Sequence, residues 1–406
     1  MHSRFIICVI AGFSWFTLAF EATGAESPGP DFSTSPRDSR TASSSREVTI
    51  RLPDGQNVRV GGKVGALIAG GYSAARSKQY DRAISSFTAA LQTKPDKSIA
   101  FFTYFFRAMA YSEKGQLDKA LSDFNTAIQL NSKYAPAYLN RGNAYSRIGN
   151  TDKAVNDCTA AIQLNPKNAA AYYNRAIHYG NKRDYKLAIR DSTVALQLDP
   201  KYANAYHNRG AFHADIGEFD KAIADLSEAI RFDPRSATTF YGRAQVYEDI
   251  EKFDKAMADY DRVIRIIPKD ADDYAVRGVG YFKKDNYKEA ASAFQKALQL
   301  SRGNDFALRR LAWFRASCPE ASMRNGKEAI RMSMRACELS KWKEPCCIEA
   351  LAAAYAETGD FDKAVKFQTQ AINMKSEYGP VDKKTREHLA LYRDHKPARS
   401  EPLVAH

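Results

Sequence analysis

Apolar and small residues recur along the middle of the chain with a period of 34 residues. Each period contains two arms in which apolar residues are spaced three and four positions apart, as in Ala188, Ile189, Ala195 and Leu196. This spacing places the apolar residues on one face of a helix, and each arm is long enough for a helix of about 12 residues. Turn residues such as Gly115 separate the arms. The pattern therefore predicts a series of paired helices.

Six regular copies share the same small and aromatic positions. An aromatic residue opens each copy, a small residue stands four positions later, and alanine stands sixteen positions later. Small side chains at facing sites allow two helices to approach closely. The openers are Tyr104, Tyr138, Tyr172, Tyr206, Phe240 and Tyr274; the small residues are Ala108, Gly142, Ala176, Gly210, Ala244 and Gly278; the alanines are Ala120, Ala154, Ala188, Ala222, Ala256 and Ala290.

These residues resemble the tetratricopeptide repeat (TPR), which has the same period and the same order of aromatic, Gly, Ala and Pro positions. The regular copies occupy residues 101–304. Less regular copies lie at residues 64–100 and, as a pair with a longer turn in its first member, at residues 305–376. The resemblance implies an all-α TPR superhelical solenoid of about nine helix-turn-helix repeats, similar to exported bacterial TPR proteins with extended C-terminal repeats.

An arginine lies on the buried face of each first helix. An aspartate stands sixteen positions further on in every regular copy except the sixth, which has Ala293. Because an unpaired buried charge is costly, the recurrence predicts structural ion pairs, either within one repeat or between adjacent repeats. The arginines are Arg107, Arg141, Arg175, Arg209, Arg243 and Arg277, and the aspartates are Asp123, Asp157, Asp191, Asp225 and Asp259.

The TPR resemblance implies a concave groove lined by the first helices, at the positions one, two and five after each opening aromatic. Three successive copies have asparagine at the second of these positions. An amide both donates and accepts hydrogen bonds, so a row of amides can bind the backbone of an extended peptide. Solvated polar residues on an open surface are the alternative. The predicted groove residues are Asn140, Asn174, Asn208, Tyr173, His207, Tyr241, Asn143 and Gln245.

The remaining chemistry of the sequence favours binding over catalysis. It contains no Gly-rich phosphate loop, metal-ligand cluster or nucleophile motif, so we expect no enzymatic activity, cofactor or metal. The net charge of +13 is spread along the chain, and nucleic acid is therefore not an expected partner. We expect a non-enzymatic scaffold that binds a protein or peptide. The alternative is a structural or self-assembling envelope component that uses the convex face or the N-terminal hairpin.

Residues 1–25 have the three-part pattern of a signal peptide. A positive charge at Arg4 precedes an apolar run over residues 5–20, and small residues precede a cut before Glu26. The alternative is an uncleaved anchor in the inner membrane, although the run is shorter than the roughly 20 residues that span a bilayer. We expect an exported protein, either periplasmic or secreted.

The ends of the repeat array have different patterns. Residues 26–47 are rich in Ser, Pro and Arg and are predicted to be a disordered linker. Alternating apolar residues in 48–62 predict a short β-hairpin. We expect it to dock on the first repeat; the alternatives are pairing with a strand of another chain or a partly open hairpin. Residues 380–406 are predicted to form a capping helix and a tail that is loose beyond Lys396.

The cysteines beyond the signal peptide lack zinc-ligand spacing. Cys158 occupies a position that other copies fill with large apolar residues, and we expect it to be a small core residue. Cys318 and Cys337 could form a disulfide in an exported protein. Buried thiols are the alternative for this pair.

Overall fold

The computed structural model describes residues 48–51, 57–377 and 381–400. The predicted signal peptide and linker lie outside these residues. Within them, nineteen α-helices account for most of the chain, in agreement with an all-α TPR solenoid. Contacts divide the chain into a first unit that ends at Arg209 and a second unit that begins at Gly210.

In the first unit, each odd-numbered helix packs against the even-numbered helix that follows it. The apolar face of each helix is covered by its partner and by the adjacent pair, which is the packing that the three-and-four spacing predicts. The helices are α1 (Gly62–Arg76), α2 (Tyr80–Gln92), α3 (Lys97–Glu113), α4 (Leu117–Leu130), α5 (Ala135–Arg147), α6 (Thr151–Leu164), α7 (Ala169–Asn181) and α8 (Tyr185–Leu198).

The next helix, α9 (Ala203–Asp215), contains the boundary between the units. The second unit continues with helix pairs and a last single helix. Its helices are α10 (Phe219–Phe232), α11 (Ala237–Asp249), α12 (Phe253–Arg265), α13 (Ala271–Lys283), α14 (Tyr287–Leu300), α15 (Asp305–Ser317), α16 (Gly326–Leu339), α17 (Pro345–Glu357), α18 (Phe361–Ser376) and α19 (Lys383–Arg393); a 3₁₀ helix, Ala321–Met323, lies in the longer turn before α16.

Side-chain caps and glycine turns fix the ends of these helices. Asp96 accepts a hydrogen bond from the backbone N–H of Ile99 at the start of α3, and Asn150 accepts one from Lys153 at the start of α6. The turn before α6 passes through Gly149 at a φ of 84°, a left-handed conformation that glycine adopts without a steric penalty. The repeat pattern thus specifies both the apolar faces and the turns between them.

Two short strands precede the helices. Strand β1 (Val48–Arg51) pairs with β2 (Asn57–Val60) in antiparallel orientation, with Val48 opposite Val60. The connecting residues 52–56 are outside the described part of the chain. The predicted hairpin and its docking on the first repeat therefore stay predictions.

Each unit has a core of aromatic and small side chains. In the first unit, Phe105 and Phe124 are buried and contact one another with ring centroids 6.0 Å apart. In the second unit, the buried rings of Phe294 and Phe314 lie 6.1 Å apart. Cys158 is fully buried in the first unit, which confirms its prediction as a core residue.

The C-terminal segment differs from the prediction of a loose tail. Helix α19 packs against α18, and the chain beyond Lys396 then returns to α15. Ala398 is only 2% exposed, the Ser400 N–H donates to the carbonyl of Ser317 at 2.9 Å, and Trp313 Nε1 donates to Ser400 Oγ at 3.0 Å. These contacts hold the segment against the core as far as Ser400.

Cys318 and Cys337 are free thiols in the structure. Cys318 belongs to a cluster that includes Phe314, whereas Cys337 belongs to another cluster, beside Cys347. Burial raises the pKa of the Cys337 thiol to about 12, which keeps it protonated and unreactive at neutral pH. The structure therefore does not form the disulfide that the sequence allows, and both residues serve as small apolar core side chains.

No helix within residues 57–377 and 381–400 is long and apolar enough to cross a bilayer.

Candidate interaction surfaces

The repeated arginine pairs with the aspartate of its own repeat. Arg175 Nε donates to Asp191 Oδ2 at 2.6 Å, and Nη2 donates to Oδ1 at 3.1 Å. This two-point geometry matches the planar guanidinium to the carboxylate. The spacing along the sequence did not show whether each arginine pairs with the aspartate of its own repeat or of an adjacent one. In the structure, the partner of Arg175 belongs to the same repeat. The same two-point pairs join Arg107 to Asp123, Arg141 to Asp157 and Arg243 to Asp259.

The third nitrogen of the guanidinium group reaches the second helix of the preceding repeat. Arg175 Nη1 donates to Thr159 Oγ1 at 3.1 Å, so one side chain connects α6, α7 and α8. The ion-pair prediction did not include these acceptors. The sequence contains a signal for them, because a Ser, Thr or Asn residue stands sixteen positions before four of the arginines. The equivalent bonds join Arg107 to Thr88, Arg141 to Asn125, Arg209 to Thr193 and Arg243 to Ser227.

Aromatic rings enclose the arginine from both sides. The guanidinium carbon of Arg175 lies 5.6 Å from the centroid of Tyr172 and 5.9 Å from that of Tyr179. Cation–π attraction and packing of the aliphatic stem offset part of the cost of removing the charge from water. This arrangement explains why a guanidinium recurs on an otherwise apolar helix face.

In the fourth regular copy, Arg209 is the last residue of the first unit, and its predicted partner Asp225 belongs to the second unit. In the sixth copy, Arg277 has Ala293 in place of the aspartate, and Arg277 Nη2 donates instead to the Tyr281 hydroxyl at 3.2 Å.

The three predicted groove asparagines are nearly enclosed. Asn140, Asn174 and Asn208 are 6%, 7% and 5% exposed. Asn140 Nδ2 donates to the carbonyl of Pro136 at 2.8 Å. No described residue forms a hydrogen bond with the side-chain amide of Asn174 or Asn208.

The other groove residues of the first unit surround these amides in the repeat pattern. Tyr173 is buried and its ring lies 4.8 Å from that of Tyr202, while Asn143 is half-buried. His207 is buried, and burial lowers its pKa to about 4, so the ring is neutral at pH 7. This face therefore presents neutral polar and aromatic groups.

The two groove residues of the second unit are also enclosed. Tyr241 is 2% exposed, accepts a hydrogen bond from Arg310 Nη2 and packs edge-on against Phe306. Gln245 is half-buried, and its Oε1 has no hydrogen-bond partner in the described part of the chain. Contacts within the protein therefore already occupy Tyr241.

A histidine of the first unit lies in the core with no polar partner. His178 is buried, and neither ring nitrogen has a hydrogen-bond partner within the described residues. Burial lowers the pKa of His178 to about 4. In the described part of the chain, no group of three or more His, Cys, Asp or Glu side chains could hold a metal ion.

Sequence-family models match several of the regular repeats and the last repeat. The model described as "TPR repeat" matches residues 109–149 and 213–250. Models described as "Tetratricopeptide repeat" match residues 135–168, 271–304, 237–270 and 349–378. The chain contains tetratricopeptide repeats. TPR proteins are generally protein-interaction scaffolds, and the TPR fold is typically non-enzymatic.

Solved structures of tetratricopeptide repeat proteins are similar to parts of this chain. A tetratricopeptide repeat protein from Parabacteroides merdae is 24% identical, with a TM-score of 0.52 over 61% of this chain and 97% of that chain. A TPR protein of Thermus thermophilus is 21% identical, with a TM-score of 0.38 over 47% and 98% of the two chains. The TPR protein YrrB, whose structure is described as having an unusual peptide-binding site, is 23% identical with a TM-score of 0.32 over 46% and 95%. No curated protein matches the chain.

Proposed function

We propose that this TPR protein is a non-enzymatic scaffold whose first unit binds an extended segment of a partner protein. The segment would lie along the face that carries Asn140, Asn174 and Asn208. These residues occupy the same position in three successive first helices, 34 residues apart. A peptide backbone offers donors and acceptors at regular intervals, so a periodic row of amides suits it better than a single compact ligand.

The unused amides of Asn174 and Asn208 carry this proposal. Both residues are largely buried, but neither side-chain amide has a hydrogen-bond partner in the described chain, and neither belongs to the buried polar atoms without a partner, so the amides stay accessible to solvent. A partner backbone can therefore form hydrogen bonds with these amides without displacing a bond inside the described chain. Neutral neighbours such as Tyr173 and His207 favour an uncharged backbone over a phosphate.

Selection from a library of extended peptides, followed by affinity measurements, tests the proposal. We expect the triple variant Asn140→Ala, Asn174→Ala, Asn208→Ala to bind a selected peptide at least about tenfold more weakly. Each hydrogen bond from a side-chain amide to the peptide should contribute about 1 kcal/mol. The second helices provide a matched control, because they carry three exposed amides with the same 34-residue spacing. The control variant replaces Gln129, Gln163 and Gln197 with Ala.

Equal affinity of the asparagine variant and the wild type would contradict the proposal that these three amides bind the peptide. The control variant should bind the peptide as the wild type does. Circular dichroism of both variants should match the wild type, so that a loss of binding reports the surface and not unfolding.

We further propose that the protein acts in the bacterial envelope after export. The support is the signal-peptide pattern of residues 1–25. The mass of the protein isolated from envelope fractions tests this step: a chain that begins at Glu26 supports export with cleavage. An intact N-terminus in the membrane fraction would favour the anchor, and an intact chain in the cytosol would contradict export.

Self-assembly through the convex face or the N-terminal hairpin is the other function that the sequence allows. Light scattering of the chain from Glu26 onward distinguishes it from peptide binding by a single copy. A monomer at micromolar concentration would contradict self-assembly, whereas a dimer or larger species that dissociates when residues 48–60 are deleted would support it.

A further inference from the structure

The sixth regular repeat contains an open cavity of about 560 Å³ where the pairing of arginine and aspartate is interrupted. Helix α13 contributes Arg277 and Tyr281 to its walls, and α14 contributes Lys288, Ala293 and Lys296. In the fifth repeat, the position equivalent to Ala293 is Asp259, which accepts two hydrogen bonds of 2.8 Å from Arg243. The cavity therefore lies where other repeats place a carboxylate.

The guanidinium of Arg277 lacks the partner that its counterparts have. Its Nη2 donates to Tyr281, but Nε is buried without a hydrogen-bond acceptor in the described chain. Within the same residues, Arg277 forms no ion pair. A buried charged donor without an acceptor is costly, and an anion placed beside it would satisfy it.

Nearby acids of the chain do not take the place of the missing aspartate. Asp261 stands sixteen positions before Arg277, where the fifth repeat has Ser227, but its Oδ1 pairs with Lys284 at 3.1 Å. Glu289 lines the cavity without forming an ion pair with Arg277. The anion would therefore come from outside the chain.

The charge and position of the cavity define the ligand further. Arg277, Lys288 and Lys296 outnumber Glu289 among the charged lining residues, so the cavity attracts anions. Arg277 lies three positions after Tyr274, the opening aromatic of α13. The predicted groove positions, which are one, two and five residues after Tyr274, lie on the opposite side of this helix. The cavity is thus a site separate from the row of asparagines.

We propose that this cavity binds a carboxylate of an external ligand, held by Arg277 in the way that Asp259 is held by Arg243. A carboxylate accepts two parallel hydrogen bonds from Nε and Nη2, which is the geometry that four other repeats use internally. Lys288 and Lys296 would bind a second acidic group on the same ligand. The ligand class is an acidic peptide segment or a small dicarboxylate.

Binding measurements on the full chain with three probes test this site. The probes are a fluorescent peptide rich in Asp and Glu, the dicarboxylate glutarate, and inorganic phosphate, each at low and high salt. We expect at least one carboxylate probe to bind, with affinity that falls as salt rises. Peptide binding alone indicates a protein partner, and glutarate binding indicates a small acid. Binding of phosphate alone, or of no probe, would overturn the proposal.

Substitution of Ala293 distinguishes carboxylate binding in this cavity from nonspecific attraction of anions to the positively charged surface. The variant Ala293→Asp supplies an internal carboxylate, so it should weaken binding of the carboxylate probe by about tenfold or more and raise the unfolding midpoint. The isosteric variant Ala293→Asn should retain more of the binding than Ala293→Asp, and Arg277→Gln should lose it. Equal binding by Ala293→Asp, Ala293→Asn and the wild type would contradict the site. The asparagine variant of the first unit should bind these probes normally.

Discussion

Arg141 and Asp157 form a two-point ion pair inside one repeat, with Nε to Oδ2 at 2.8 Å and Nη2 to Oδ1 at 2.6 Å. Arg141 Nη1 also donates to Asn125 of the preceding repeat at 2.8 Å. One charged side chain therefore fixes the two helices of its own repeat and the register against the neighbour. The same three-helix connection is made by Arg107, Arg175 and Arg243 in their own repeats.

Removal of one partner of this pair should cost more than removal of both. Asp157→Ala leaves the largely buried guanidinium of Arg141 without its carboxylate, and we expect it to lower the free energy of unfolding by about 3 kcal/mol. The double variant Arg141→Ala, Asp157→Ala leaves no unpaired charge, so it should lose less stability than Asp157→Ala alone. Denaturant unfolding of the wild type, Arg141→Ala, Asp157→Ala and the double variant measures the coupling, and additive losses would show that the pair does not act as a unit.

The close approach of α13 and α14 predicts different outcomes for two glycines of one helix. A Cβ at Gly278 would lie 2.7 Å from the ring of Phe294, which is fully buried. Gly278→Ala should therefore lower the free energy of unfolding by about 1–2 kcal/mol through overpacking. A Cβ at Gly280 would meet its nearest atom, a side-chain carbon of Ile264, at 3.3 Å.

Gly280→Ala is the matched control for this prediction, and we expect it to be neutral or to stabilise the helix by up to about 1 kcal/mol. Thermal unfolding compares the two variants. An unchanged midpoint for Gly278→Ala would mean that the ring of Phe294 shifts to make room, as alanine at the equivalent position of other repeats would suggest.

The buried histidines predict a loss of stability in mild acid. Burial lowers the pKa of His178 and of His388 to about 4, below the value of about 6.5 in an unfolded chain. Between these values the unfolded state binds more protons, so stability is retained above pH 6.5 and falls as the pH drops towards 4. Each histidine contributes a slope of up to about 1.4 kcal/mol per pH unit.

His178→Phe tests the contribution of one ring, since the equivalent position of the next copy is Phe212. Phenylalanine cannot take up a proton, so the variant should lose less stability than the wild type between pH 6.5 and 4. The free energy of unfolding as a function of pH measures the difference. Parallel curves for the two proteins would show that His178 is already accessible to protons in the folded state.

The docked C-terminal segment predicts that its removal weakens the last repeats. Deletion of residues 397–406 removes buried Ala398 and the hydrogen bonds between Ser400, Ser317 and Trp313. We expect the unfolding midpoint of the second unit to fall by a few degrees. Deletion of residues 401–406 alone retains these contacts and should leave the midpoint unchanged. If both deletions behave alike, the segment contributes nothing to stability.

The repeat pattern predicted the helices well because their formation depends on local apolar spacing and on turns such as Gly149. The identity of the ion-pair residues was also visible, since Arg141 and Asp157 recur with a fixed separation. The sequence did not show that these residues pair within one repeat, because spacing along the chain does not measure the distance between helices. The contact of Ser400 with Trp313 joins residues far apart in sequence, and no periodic signal marks it.

The candidate sites were predicted to different degrees. The row of asparagines could be read from its period, but the burial of Asn174 and Asn208 depends on how neighbouring helices pack. The signal for the cavity of the sixth repeat was Ala293, which breaks the aspartate series. The sequence did not show that this change leaves Arg277 without a carboxylate. The structure shows it, because the nearby Asp261 pairs with Lys284 instead.

Site-directed photo-cross-linking with a selected peptide tests the peptide-binding surface most directly. A photoreactive amino acid at Asn143 lies among the groove positions of α5, whereas one at Gln163 lies on the exposed side of α6 in the same repeat. We predict a covalent adduct with the peptide at position 143 and none at position 163. An adduct at position 163 without one at position 143 would contradict the assignment of the binding surface to the first helices.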